Sequence, residues 1–87
     1  MIILSSALKH GISPDAIVSA WNTPVASFVE GSHPLKLIKL GLDPTDFRLL
    51  EIGGHIENDG TIKIFHAMPA RKKYVQQLNK GRNYGRR

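Results

Sequence analysis

The chain has 87 residues, 41% of them hydrophobic, and no cysteine. This length supports one domain with a modest core, and the absence of thiols excludes disulfide scaffolds, cysteine-ligated zinc and thiol catalysis. The formal charge of +5 is unevenly divided, because residues 71–87 hold seven of the twelve basic residues and none of the seven acidic ones. This asymmetry favours a polyanionic partner, most often nucleic acid, over a charged tail that only aids solubility.

No apolar run approaches the ~18 residues that a membrane span needs. The apolar start, Met1 to Leu4, meets Ser5, Ser6 and Lys9 at once and lacks a basic leader, so it does not read as a signal peptide. We therefore expect a cytoplasmic protein with no membrane contact.

Two short helices are predicted at the start of the chain. Residues 3–10 place apolar side chains at helical spacing, and Gly11 is suited to end that helix. Ser13 and Pro14 suit the cap and the first position of a second helix, which ends before Pro24.

Four strands are predicted next, joined by short turns. Apolar alternation and turn residues place them at residues 25–30, 35–40, 47–57 and 61–68. The pair Gly53-Gly54 inside the third of these strands predicts a bulge or a sharp coil there.

A basic helix closes the predicted fold. Pro69 opens it, and it runs from Ala70 to about Asn79, followed by a basic flexible tail over residues 81–87. The sequence thus predicts one α+β domain over residues 1–80, with two N-terminal helices, an antiparallel sheet of three to four strands and a basic C-terminal helix. We expect the helices to cover one face of the sheet.

Two stretches resemble the BrnT-type toxins of the wider RelE/ParE-like group. The run Leu8-Lys9-His10-Gly11-Ile12-Ser13 before a short helix is similar to their start, and residues 62–74, Ile-Lys-Ile-Phe-His-Ala-Met-Pro-Ala-Arg-Lys-Lys-Tyr, resemble their last strand and basic helix. Two features depart from the family pattern. The usual N-terminal strand is missing, and His66-Ala67-Met68-Pro69 replaces the ordinary strand–helix junction.

The resemblance implies a RelE-like fold and a bacterial toxin of a type II toxin–antitoxin system. Such a toxin is a metal-independent ribonuclease that cleaves RNA, free or on the ribosome, by attack of the RNA's own 2′-hydroxyl, and so inhibits translation. The implied protein partner is a cognate antitoxin, bound in a hetero-oligomer.

Cleavage of this kind needs a proton acceptor, a proton donor and cations that stabilise the charged phosphorane. His66 is the acid/base candidate because imidazole titrates near neutrality, although strict alternation puts it on the same face as Ile62 and Ile64, where it can equally be a packed histidine. Arg71, at the strand–helix junction, is a candidate phosphate clamp, and a solvated helix face is the alternative.

Two further catalytic candidates lie on the third predicted strand. Arg48 resembles the strand arginine of BrnT-type proteins and is a candidate second phosphate contact. Glu51, on the opposite face if alternation is regular, is a candidate proton acceptor or a partner for a basic side chain. A charged sheet face is the alternative for both.

The RNA-binding candidates follow Arg71 in the chain and are Lys72, Lys73, Tyr74, Lys80 and Arg82. Tyr74 can stack on a base or pack in the core. His10 is interpreted as a helix-end residue that favours the dipole. The four histidines lack the spacing of metal ligands, so no metal and no cofactor are expected.

Three other functions remain open, and one of them is a catalytically silent domain that binds nucleic acid or protein. A ParE-like version of the same fold inhibits a protein target and cleaves nothing. A helix-turn-helix regulator is suggested by Ala7, Gly11 and Ile17, although its recognition helix would carry Asp15 and no basic residue.

Overall fold

The computed structural model describes residues 1–84, with side chains for residues 1–80. Its elements in chain order are strand β1 (Ile2–Ile3), a 3-10 helix (Ser5–Leu8), helix α1 (Pro14–Asn22), strands β2 (Ala26–Ser32), β3 (Leu35–Leu42), β4 (Leu49–Ile56) and β5 (Ile62–Pro69), and helix α2 (Lys72–Tyr84). The predicted strands and the second predicted helix are confirmed to within a few residues. Helix α2 begins after the expected Ala70, because Pro69 still pairs with Leu50 at the end of β5. The predicted tail, residues 81–87, overlaps the last residues of α2, and residues 85–87 lie outside the described part.

The strands form one mixed sheet in the order β1-β5-β4-β3-β2. Strands β2 to β5 make an antiparallel meander, and β1 adds to the free edge of β5 in parallel, with Ile2 opposite Lys63. The fold is therefore α+β as predicted, but the expected antiparallel sheet of three to four strands is wrong. The parallel pair of β1 and β5 joins residues that are 61 positions apart, so no local sequence pattern predicts it.

The prediction of two N-terminal helices is also wrong. Residues 2–3 are extended in β1, and the amide of Leu4 continues this edge by donating to the carbonyl of Ile64. Only the four-residue 3-10 helix lies within the first predicted helix. It is attached to β5 by a hydrogen bond that the Ser6 hydroxyl donates to the carbonyl of Phe65. An N-terminal strand of two residues is thus present, although the sequence predicted none.

The two α-helices lie on opposite faces of the sheet, whereas the sequence predicted one covered face. Along β4, Leu50 and Ile52 pack in a cluster with α1, while Leu49 packs in a second cluster with Tyr74 of α2. Because neighbouring residues of a strand point to opposite faces, these clusters lie on the two sides of the sheet.

Helix α1 and the 3-10 helix cover the first face with a well-buried core. Ser13 caps α1 by accepting from the amide of Ala16, as its sequence predicts. The apolar stripe of α1 packs on β3 and β4, and the 3-10 helix packs on β5. The buried set is Ala7, Ile12, Ala16, Ile17, Ala20, Trp21, Leu50, Ile52, Ile64 and Ala67.

Helix α2 covers only part of the second face. Tyr74 is its buried side chain, packed with Ile38 and Leu40 of β3, and Leu78 lies at the edge of this cluster. Its contacts fall on the β2–β3 side, so β5 is less covered on this face. Within the described residues, no helix is long and apolar enough to cross a membrane.

Gly41 sets how closely α1 approaches the sheet. A Cβ at this position would fall well inside van der Waals contact of the backbone carbonyl of Ala20. The small residues at both positions therefore let the helix lie directly on β3.

We expect Gly41→Ala to lower the free energy of unfolding by at least about 2 kcal/mol, because the added methyl group pushes on helix backbone that cannot yield. Urea unfolding followed by Trp21 fluorescence measures this. Gly31→Ala is the matched control, since its Cβ would lie 3.4 Å from the Lys36 side chain, and it should change stability by less than about 0.5 kcal/mol. Equal effects of the two substitutions would contradict the close-approach argument.

Candidate active site

One unpaired residue in β5 determines which side chains reach the second face. Gly53 of β4 pairs with His66, but the next residue of β4 pairs with Ile64, so Phe65 is a bulge without a partner. Ile64 before the bulge and Ala67 after it both lie in the core on the first face. His66 therefore points to the opposite face.

This bulge overturns the prediction that His66 shares a face with Ile62 and Ile64. That prediction assumed unbroken alternation along β5. The sequence did indicate a bulge at Gly53-Gly54, but the extra residue lies across the ladder, on the strand that carries the histidine. A one-residue shift moves every later side chain to the other face.

On the second face, Glu51 gathers three donors around a fully buried carboxylate. His66 Nε2 lies 2.8 Å from Glu51 Oε2. Arg71 donates from Nε and Nη2 to the same carboxylate, at 2.7–3.2 Å, and its backbone amide donates to Oε1 at 2.7 Å. The side chain of Glu51 is 0% exposed, while those of His66 and Arg71 are 20% and 47% exposed. Of the predicted catalytic residues, the structure thus brings three together.

Glu51 is charged at neutral pH in this arrangement. Burial raises the pKa of its carboxyl, but the hydrogen bonds from the Arg71 side chain and backbone and from His66 outweigh burial and hold the pKa below its ordinary value. An ionised carboxylate only accepts hydrogen bonds. The shared hydrogen bond therefore fixes the proton of neutral His66 on Nε2 and leaves the lone pair on Nδ1.

His10, interpreted from the sequence as a helix-end residue, is a second histidine at this site. Its ring lies edge-on to the ring of His66 at 6.3 Å between centroids, and it is exposed. The 3-10 helix that precedes it lies against β5, and this long-range packing places it there. No spacing in the sequence links two histidines 56 residues apart, so only the fold reveals the pair.

Arg48 lies outside this cluster. It precedes β4 in the turn from β3, where its Nε donates to Asp46 at 2.7 Å and its Nη2 lies 3.6 Å from Asp43. Thr45 also donates twice to Asp43, and these bonds lower the pKa of that carboxyl. Arg48 therefore stabilises a turn, and the structure does not bring it to Glu51.

The RNA-binding candidates on α2 divide into buried and exposed groups. Tyr74 is 3% exposed, stacks on Phe28 and donates to Glu30 at 2.9 Å, so its ring is in the core and not open to a base. Burial and the bond to Glu30 raise its pKa to about 12. Lys72, Lys73 and Lys80 are exposed. The side chain of Arg82 lies outside the described residues.

The first turn of α2 adds to the positive potential of the cluster. Arg71 immediately precedes the helix and accepts at its carbonyl from the amides of Tyr74 and Val75. The amides of Lys72 and Lys73 at the first two helical positions have no partner within the helix. Within the described residues, no three metal-ligating side chains of the His, Cys, Asp or Glu type converge.

We expect Arg71→Ala to lower the unfolding free energy at pH 7 by about 2–3 kcal/mol, since Glu51 keeps only two of its donors in a buried position. Lys72→Ala, which removes an exposed neighbouring charge, should cost less than about 0.5 kcal/mol.

The difference in unfolding free energy between Arg71→Ala and Lys72→Ala should depend on pH. The pKa of Glu51 is lower in the folded chain than in the unfolded chain, so its stabilisation is complete above about pH 4.3, where the unfolded carboxyl titrates. It is lost as the pH falls through the folded pKa. Urea unfolding of both variants across this range checks the prediction, and a gap that stays constant into acid would contradict a charged Glu51.

Comparisons with models of protein families, with curated proteins and with solved structures each gave no match. The resemblance to BrnT-type toxins therefore stays a prediction from the two quoted stretches of sequence.

Proposed function

We propose that this chain is a metal-independent endoribonuclease and acts in the cytoplasm as the toxin of a type II toxin–antitoxin system. The observation that carries the proposal is the 2.8 Å hydrogen bond between His66 and the buried carboxylate of Glu51. Structural ion pairs are common, but this one also orients a partly exposed imidazole beside a basic helix end.

His66 is the proton acceptor in the proposed reaction. Its Nδ1 takes the proton from the 2′-hydroxyl as the 2′-oxygen attacks the adjacent phosphorus. The ring then carries a positive charge, which the Glu51 carboxylate stabilises through the Nε2 proton. Glu51 acts through His66 and does not touch the substrate, so it is a positioning residue.

His10, when protonated, is the donor to the leaving group. It gives a proton to the 5′-oxygen as the bond from that oxygen to phosphorus breaks, which yields a 2′,3′-cyclic phosphate and a 5′-hydroxyl end. The two rings lie 6.3 Å apart between centroids, which is close enough for both to contact one phosphate group. The exposed part of the Arg71 guanidinium and the first amides of α2 stabilise the phosphorane charge.

The toxin role and the antitoxin partner are supported by the sequence resemblance and by one surface. Four apolar side chains at the β1 edge are more than one-third exposed, and they are Met1, Ile2, Leu4 and Leu8. Exposed apolar patches of this kind are typical of protein interfaces. An antitoxin that covers this edge would form the expected hetero-oligomer and lie close to His10.

The alternative of a helix-turn-helix regulator loses its first helix, because only a 3-10 helix precedes Gly11. The apolar side chains of α1 are also buried against the sheet, so they are not available to pack on a first helix. The ParE-like alternative shares the surface just described but predicts no cleavage, so an activity assay separates it from the ribonuclease.

We expect the purified chain to cleave single-stranded RNA in the presence of EDTA and to leave 2′,3′-cyclic phosphate ends, identified by chromatography. His66→Ala should reduce the rate by about 10²–10⁴-fold, the usual contribution of a positioned acid or base. His10→Ala should also reduce the rate, because it removes the proton donor to the leaving 5′-oxygen.

His33→Ala is the matched control, because His33 is an exposed histidine in the β2–β3 turn bonded to Ser32. It should retain full activity. Absence of cleavage of both free RNA and mRNA on ribosomes would refute the proposal, and unchanged activity of His66→Ala would remove His66 from the site.

A further inference from the structure

A basic row crosses the three central strands on the same face as His66. His55 of β4 pairs with Lys36 of β3 on one side and with Lys63 of β5 on the other. Positions paired across strands have their side chains on one face. All three are partly exposed, so this row lies on the part of the second face that α2 leaves open.

The bulge residue Phe65 joins this row to His66. Its ring stacks on that of His55, at 4.6 Å between centroids and 27° between planes, and the ammonium of Lys36 lies 5.4 Å from its centroid. A Cβ on Gly53 would lie 2.9 Å from the tip of the Phe65 ring, so the glycine leaves room for the ring to lie over β4. The ring is partly exposed, and its centroid is 6.4 Å from that of His66.

The acidic groups near this surface leave it positive. Glu57, just after β4, approaches Lys63 at 4.0 Å, and both side chains are more than one-third exposed, so the pairing is weak. Glu51 is fully buried and neutralised by Arg71. Lys36 has no acidic partner within 4.0 Å among the described residues.

Surfaces that combine aromatic rings with lysines bind single-stranded nucleic acid, since the rings stack on bases and the ammonium groups contact phosphates. The row lies about 13 Å along β4 from Glu51, four residues at the strand rise. This distance exceeds the length of one nucleotide. An RNA strand whose cleaved phosphate lies at His66 therefore places a neighbouring nucleotide at the row.

We infer that Lys36, His55, Lys63 and Phe65 form a binding subsite for a base and a phosphate of single-stranded RNA beside the cleaved bond. This inference rests on the proposed function, and it names the substrate class as unpaired RNA. Bases in a duplex are stacked on one another and cannot meet the Phe65 and His55 rings.

The test measures binding apart from cleavage. The full chain is titrated into a fluorescein-labelled single-stranded oligoribonucleotide with 2′-O-methyl groups throughout, which lacks the attacking hydroxyl, and anisotropy gives Kd. Phe65→Leu keeps apolar cover over Gly53 but removes the ring, and it should weaken binding about tenfold or more. The double variant Lys36→Ala with Lys63→Ala should reduce the slope of log K against log salt by about 0.7, the value for the one phosphate that the subsite holds.

Lys9→Ala is the control, because it removes an exposed charge outside the row, and it should change neither quantity by a comparable amount. Thermal unfolding of each variant checks the fold. If Phe65→Leu does not fold, the lysine pair decides the result alone. Wild-type binding by both variants, or an equal loss by Lys9→Ala, would overturn the subsite, as would equal weakening by Phe65→Leu for duplex RNA.

The two proposals fail in distinguishable ways. If unmodified RNA is never cleaved but Phe65→Leu and the lysine pair still weaken binding, the ribonuclease proposal falls and the subsite stands. If RNA is cleaved while these variants bind and cleave like the wild type, the subsite falls and the ribonuclease proposal stands.

Discussion

The carboxylate of Glu51 is fully withdrawn from water, and a charge in that position is stable only when donors surround it. Here the donors come from three places in the fold: the imidazole of His66 on β5, the guanidinium of Arg71 and the amide that leads into α2. The same charge therefore fixes the ring of one residue, the side chain of another and the start of a helix. It lies at the helix N-terminus, where the dipole also favours an anion.

The bulge at Phe65 decides what this carboxylate meets. Without the extra residue, regular alternation would turn His66 toward the core on the first face and away from Glu51. Gly53 and Gly54, which lie opposite the bulge on β4, have no side chains and so leave room for large neighbouring side chains on both faces of the sheet. A side chain on Gly54 would collide with Trp21 on the first face, and one on Gly53 would collide with Phe65 on the second. The pair Gly53-Gly54 is thus required by packing from both sides.

Much of the fold follows from local sequence pattern. The strand positions follow from apolar alternation and turn residues, and α1 follows from Ser13, Pro14 and its apolar stripe. The sequence could not show the pairing of β1 with β5 or the placement of α2 on the second face. Both depend on contacts between distant residues, and two extended residues such as Ile2 and Ile3 carry no distinctive pattern.

For the candidate site too, the sequence predicted which residues matter but not which of them lie in contact. Residue type and position in the predicted strands and helix nominated Glu51, His66 and Arg71, because few side chains transfer protons or hold phosphates. It could not show that they touch, since 15 and 20 residues separate the histidine and the arginine from the carboxylate. Arg48 was nominated by its resemblance to a strand arginine of BrnT-type proteins, and it lies instead among the aspartates of a turn. His10 was set aside as a helix end, although the fold brings it to His66.

The parallel pairing of β1 has a consequence for the order in which the chain becomes complete during synthesis. The partner strand of Ile2 begins 60 residues later in the sequence. Until β5 emerges, the N-terminal segment has no edge to join, and His10 has no His66 beside it. Glu51 likewise waits for Arg71 before its charge is matched. A nascent chain therefore cannot hold an assembled site until its last strand and the residues that follow it, Arg71 included, are made.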